Sequence, residues 1–140
     1  MREDEQLVAA ANDRFYHAFE RLDLNEMGRV WADDGSIQCG HPGWSVLRGR
    51  GAVMESWRRI FENSPPVRIM VTDVCIDVRD PVAWVTLHEH LNSSVDGQQV
   101  SATVLATNIF EKRSDGWRLV HHHGSPVAQL PPQRDPSTVH

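Results

Sequence analysis

Cysteine is scarce in this chain: Cys39 and Cys75 are the two cysteines among 140 residues. They stand too far apart for a CxxC metal or redox motif, and one pair makes no disulfide framework, so both are expected as free, buried thiols. Positive charge is also in short supply, with 14 Lys and Arg against 19 Asp and Glu and a formal net charge of −5. With no basic stripe or basic helix to gather counterions, a nucleic-acid partner is excluded. No apolar run is long enough to span a bilayer. The opening "MREDEQLVAA" is charged where a secretory signal would be greasy, so the expectation is a soluble, cytoplasmic protein without a membrane partner. Tyrosine occurs once, as Tyr16.

What is present is enough for one core: 40 % of residues are hydrophobic and five are Trp. Leu7, Ala11, Phe15, Ala18, Phe19 and Leu22 recur at three- and four-residue steps, which predicts an amphipathic helix over about residues 5–22. Asp23, with Glu26 three positions on, is a capping box for a short second helix that ends at Gly35. A short strand around "SIQC" leads to "GHPGWSVLRG", a shaped loop carrying His41 and Trp44, and "GAVMESWRRIFENS" reads as a third helix stopped by "SPP". Four long strands follow, joined by "RDP", "VDG" and "SDG" turns, and predict an antiparallel meander. Helices first and strands afterwards mean an α+β domain over residues 1–127, with 128–140 as a Pro-rich tail of little structure. The triplet in "WRLVHHHGSP" continues a strand alternation and belongs to the fold rather than to a tag.

The order helix, helix, strand, helix, then a meander ending in "GWRLVHHHGSP", with "HPGW" and "ATNIFEKR" before it, resembles the SnoaL-like branch of the nuclear-transport-factor-2 (NTF2)-like superfamily over about residues 5–127. The resemblance implies a conical α+β barrel, with three helices from the N-terminal half packed on a curved antiparallel sheet. It also implies a deep pocket between sheet and helices, and a homodimer formed through the sheet. The superfamily includes ketosteroid isomerase, scytalone dehydratase, limonene epoxide hydrolase, polyketide cyclases and non-catalytic association domains, so the fold alone does not select a chemistry.

Strand alternation selects the residues that enter such a pocket. In "AWVTLHEHL", Val85, Leu87, Glu89 and Leu91 share the more apolar face, which turns Glu89 inward. In "VSATVLATNIF", the set from Val100 to Phe110 that includes Asn108 is the apolar one. Continued through the last strand, the same rule turns Trp117, Leu119, His121 and His123 inward and His122 outward. Glu89 and His121 are then the expected proton-transfer pair, because a carboxylate among Val and Leu loses the hydration that favours its charged form. The competing reading is a buried Glu that only orders the sheet through hydrogen bonds. Tyr16, on the helix where the family's oxyanion tyrosine lies, joins His123 and Asn108 as a hydrogen-bond donor to a ligand, with His41 at the mouth and Trp44 and Trp57 as pocket walls or plain core.

Against the ketosteroid isomerase pattern, "SIQCGH" has no carboxylate where the base would stand, and Asn108 replaces an acidic donor. This points to a small apolar or polyketide-like substrate handled by isomerase, dehydratase or cyclase chemistry, or else to a binding or association module. Two His-x-His pairs, His88/His90 and His121/His123, have the spacing of metal ligands on one strand face. Alternation assigns the pairs to opposite faces, so no metal site and no cofactor are expected.

Overall fold

The computed structural model describes residues 2–128; the expected tail from 129 onward lies outside the described residues. The first helix, α1 (Arg2–Glu20), buries Val8, Ala11, Phe15 and Ala18 along one stripe, and it carries Asn12 and Tyr16 on the same face. It begins earlier than its apolar stripe, because Glu3, Asp4 and Glu5 complement the positive end of the helix dipole. Leu22 reverses the chain with φ 53°, and Asp23 then caps α2 (Leu24–Val30) by accepting the Glu26 N–H at 3.0 Å. That helix stops at Val30, short of Gly35. Two guanidinium groups take its last carbonyls: Arg50 donates to Gly28 O at 2.8 Å and Arg118 to Arg29 O at 2.8 Å.

Strand β1 (Gln38–Gly40) and the two-residue β2 (Leu47–Arg48) flank the "HPGW" loop, and α3 (Arg50–Asn63) follows. The long strands are β3 (Val67–Arg79), β4 (Val82–Val95), β5 (Gln98–Arg113) and β6 (Gly116–Pro126). The β4–β5 hairpin turns through Asp96 and Gly97, both at positive φ (52° and 79°), as the two-residue turn matched to strand twist requires.

The sheet has six strands in the order β2-β1-β6-β5-β4-β3, curved and open at both edges rather than closed as a barrel. It is mixed rather than wholly antiparallel, since β1 pairs in parallel with β6, Cys39 lying beside His122. Joining the short strand there extends the sheet past the meander and gives β6 a neighbour on each side. The core lies between the concave face and the helices, where Phe15 meets Tyr16, Trp57 and Trp31 edge-on at centroid separations of 4.8, 5.6 and 6.5 Å. Of the two cysteines, Cys39 is buried as expected, whereas Cys75 is exposed: β3 departs from its pairing register between Thr72 and Cys75 and leaves that thiol on the solvent side.

Candidate functional site

The pairing of β4 with β5 is unbroken from Val82 to Val95, so alternation holds along β4 and carries Ala83, Val85, Leu87 and Glu89 into the core. Glu89 is 2 % exposed. Asn12 and Tyr16, four residues apart on α1, face it from across the core. The Tyr16 hydroxyl donates to Glu89 Oε2 at 2.6 Å. Asn108, fully buried on β5, donates from Nδ2 to Asn12 Oδ1 at 2.9 Å and to Tyr16 Oη at 3.1 Å. Its Oδ1 accepts from His122 Nδ1 at 2.5 Å. The amide therefore has both ends engaged, and the carbonyl acceptor puts the His122 proton on Nδ1, leaving Nε2 bare.

Burial sets the charge state of this group. Desolvation pushes the Glu89 carboxyl up to about 7, against the opposing pull of the Tyr16 hydrogen bond. Desolvation, then the nearby Glu89 charge, raises Tyr16 well above the ordinary phenol value. Burial holds His122 down at about 3 and His41 at about 4, so both imidazoles are neutral at neutral pH. The result is a carboxyl poised to exchange a proton, surrounded by neutral hydrogen-bonding groups.

His41 lies inside rather than at the surface: it is 5 % exposed, with Nε2 2.8 Å from Ser56 Oγ and its ring 4.7 Å from that of Trp57. Ser56 donates in turn to Val53 O at 2.6 Å, so its hydroxyl is an acceptor toward the His41 N–H. Trp44 is half-exposed on the loop, 4.8 Å from His41, while Trp57 is fully buried. Trp57 Nε1 has no acceptor among the described residues, an uncompensated N–H in the same aromatic cluster as His122.

An apolar cleft of about 260 Å³ opens between Phe19, Ile60, Val67, Leu91, Val100 and Ala102. Leu91 lies one alternation step from Glu89 along β4, so the carboxyl is on the same sheet face two residues further into the core, but it does not itself line the cleft. A larger, polar cleft of about 780 Å³ runs past Arg14, Arg29, Arg50 and Arg118. Arg50 and Arg118 there are committed to the α2 carbonyls, and Asp33 and Asp115 neutralise them further.

The structure corrects the expectation for β6. Its pairing with β5 slips between Ile109 and Phe110: Phe110 stands opposite Leu119 but Ile109 opposite His121, so Val120 is one residue too many. The bulge reverses the alternation. Trp117 and Leu119 are buried as expected, but beyond Val120 it is His122 and Gly124 that face the core. His121 and His123 align with Ile109 and Thr107 on the outer face, so His121 is not brought to Glu89 and His123 is not brought to the pocket. Tyr16, Asn108 and Glu89 do meet. Asn12, Ser56 and His122 were missed: Asn12 had a signal in its four-residue step from Tyr16, whereas nothing local announces Ser56 or a one-residue bulge. Among the described residues no three His, Cys, Asp or Glu side chains gather as a metal-ligand set within the chain.

This architecture has known relatives. The chain belongs to the SnoaL-like domain family, whose model matches residues 8–129. An NTF2-like protein from Streptomyces avermitilis named as a candidate dehydratase is 36 % identical, with a TM-score of 0.85 over 91 % of this chain and 99 % of that one. A candidate calcium/calmodulin-dependent protein kinase type II association domain from Thiobacillus denitrificans is 37 % identical, with a TM-score of 0.79 over 86 % and 94 % of the two chains. The F-box protein SKIP8 of Arabidopsis thaliana is 30 % identical over 118 residues, covering 84 % of this chain. The chain spans about half the length, 48 %, of that curated relative.

Proposed function

We propose that the protein binds a small, largely apolar molecule in the apolar cleft and moves a proton on it, as an isomerase, dehydratase or cyclase does. The observation that carries this reading is Glu89 itself: a carboxyl 2 % exposed, its pKa raised to about 7 by burial, on the same sheet face as Leu91, which lines an apolar cleft. As a carboxylate, Glu89 abstracts a proton from carbon next to a carbonyl. The C–H electron pair passes into an enolate whose oxygen carries the charge, and Glu89 then returns the proton to carbon. While the carboxyl is neutral it no longer draws the Tyr16 hydroxyl, which then donates to the developing oxyanion, supported by the Asn108 amide behind it. Trp57 Nε1–H, without an acceptor of its own, supplies a further donor to the ligand. His122 and Asn12 are positioning residues acting through Asn108. His121 has no part in this scheme. Two copies pair through their outer sheet faces, where Met70, Trp84 and Leu105 are exposed at 64, 38 and 45 %.

The test is exchange of the α-protons of small cyclic ketones for deuterium, followed by NMR. Wild type is expected to accelerate exchange, with Glu89→Gln losing roughly 10²–10⁴-fold of the effect. No acceleration by wild type across the panel, with Trp57 fluorescence unmoved by any ketone, would sink the reading.

A second reading is a non-catalytic association module. It is favoured by the 37 % identity with the Thiobacillus association domain and by the full internal pairing of Asn108. A ring-sized assembly in light scattering, together with an inert Glu89, would select it.

A further inference from the structure

The bulge at Val120 does more than bring His122 inward. It places both His-x-His pairs on one surface, the outer face of the sheet, where alternation alone would have separated them. The pairs differ in what they are free to do. On β4, His88 Nδ1 is held by Asp73 at 2.8 Å, and His90 has Thr72 Oγ1 at 2.7 Å and Thr103 Oγ1 at 3.4 Å on its two nitrogens. On β6, His121 and His123 have no hydrogen-bond partner among the described residues, and their ring centres are 6.5 Å apart. Two imidazoles on one tetrahedral zinc, with Zn–N near 2.0–2.1 Å, have ring centres roughly 5 Å apart, a difference that side-chain rotation covers. Beside them β1 offers Gln38 and Gly40, and a side chain at Gly40 would come within 3.2 Å of the His123 ring; the glycine leaves that ring its space. The flanking β5 residues, Thr107 and Ile109, bring no charge.

One such pair supplies two ligands where zinc takes four, and among the described residues of one chain no third ligand joins it. β6 has two strands to one side and three to the other, near the middle of the sheet, so a second copy laid face to face on the sheet brings its own central strand close by. We propose that a divalent transition-metal ion of the zinc type binds between two copies of this chain, each supplying His121 and His123. The second pair of ligands rests on the face-to-face pairing proposed above; the proton-transfer site plays no part.

The experiment uses untagged protein, first stripped with EDTA and then titrated with Zn²⁺ in sedimentation velocity, with Co²⁺ as the spectroscopic probe. Zinc is expected to tighten self-association at least about tenfold, and Co²⁺ to give the intense visible absorption of a tetrahedral site. His121→Ala/His123→Ala should lose both responses. His88→Ala/His90→Ala, and Cys75→Ser at the exposed thiol, should keep them. A dimer in EDTA that ignores both metals preserves the pairing and ends the metal site; a monomer under every condition ends both. Loss of the response in the His88/His90 variant or in Cys75→Ser would overturn the ligand assignment.

Discussion

Strands β4 and β6 each carry a His-x-His pair and each help wall the same core, and they turn those pairs outward by different routes. Along β4 the pairing with β5 is regular, and Glu89 points inward between His88 and His90. Along β6 one extra residue, Val120, reverses the alternation, so the middle histidine of three is inside and its neighbours are outside. The same local pattern thus yields a buried acid on one strand and a buried base on the other. Acid or base is fixed by which residue stands in the middle; what differs structurally is the route, plain alternation on β4 and a register slip on β6. It teaches that the side of a sheet on which a side chain falls is a property of the pairing, not of the strand's own sequence.

Breaking the comparison outright means deleting Val120. Either Trp117 and Leu119 or His122 and Gly124 must then change faces, and the deletion is expected to cost more than about 4 kcal/mol, read as loss of a cooperative transition in thermal unfolding. Next comes the contrast between the histidines. His122→Ala leaves Asn108 Oδ1 without its partner in a fully buried site and should cost about 2–4 kcal/mol in denaturant unfolding, while His121→Ala on the outer face should cost less than about 1.

Two of the buried titratable groups should give opposite pH slopes, with His41, also held down by burial, acting in the same direction as His122. Between the ordinary Glu value of 4.5 and about 7, folded Glu89 holds a proton that the unfolded chain has released, so its contribution to stability falls as pH rises through that window. The loss is of order 3 kcal/mol by pH 8, and Glu89→Gln should flatten it. His122, held at about 3 against an ordinary 6.5, acts in the opposite direction: the unfolded chain binds the proton first, so stability falls as pH drops below 6.5. Urea midpoints measured from pH 4 to 8 on wild type, Glu89→Gln and His122→Asn would separate the two slopes; identical profiles would refute the assignment.

The smallest effect concerns the strand end beyond the bulge. A Cβ on Gly124 would lie 2.9 Å from Val104 Cγ1 and 3.3 Å from Pro42 Cγ, pressing β6 against its neighbour and the "HPGW" loop. Gly124→Ala should cost about 1–2 kcal/mol, whereas His123→Ala, one residue earlier and facing out, should stay within about 0.5 kcal/mol by the same measurement.

Much of the fold was legible because its signals are local. The stripe from Ala11 to Ala18, the Asp23 cap, the glycine of the "VDG" turn and the unbroken alternation of β4 each depend on residues a few positions apart. Glu89 and Asn108 could be named for that reason, whereas Tyr16 was named from the family resemblance. What escaped depends on distant partners: the parallel pairing of β1 with β6, the arginines that end α2 before Gly35, and the slip opposite Ile109.

By itself the sequence determined the α+β order, the apolar face of each regular element and the presence of one carboxyl among aliphatic residues, because periodicity and capping act within a turn or a strand step. Only the tertiary structure decided which histidine would meet Asn108 and which two would share the outer face. A bulge is settled by the summed fit of both strands and the helices above them: Trp117, Leu119, His122 and Gly124 cannot all be buried without it.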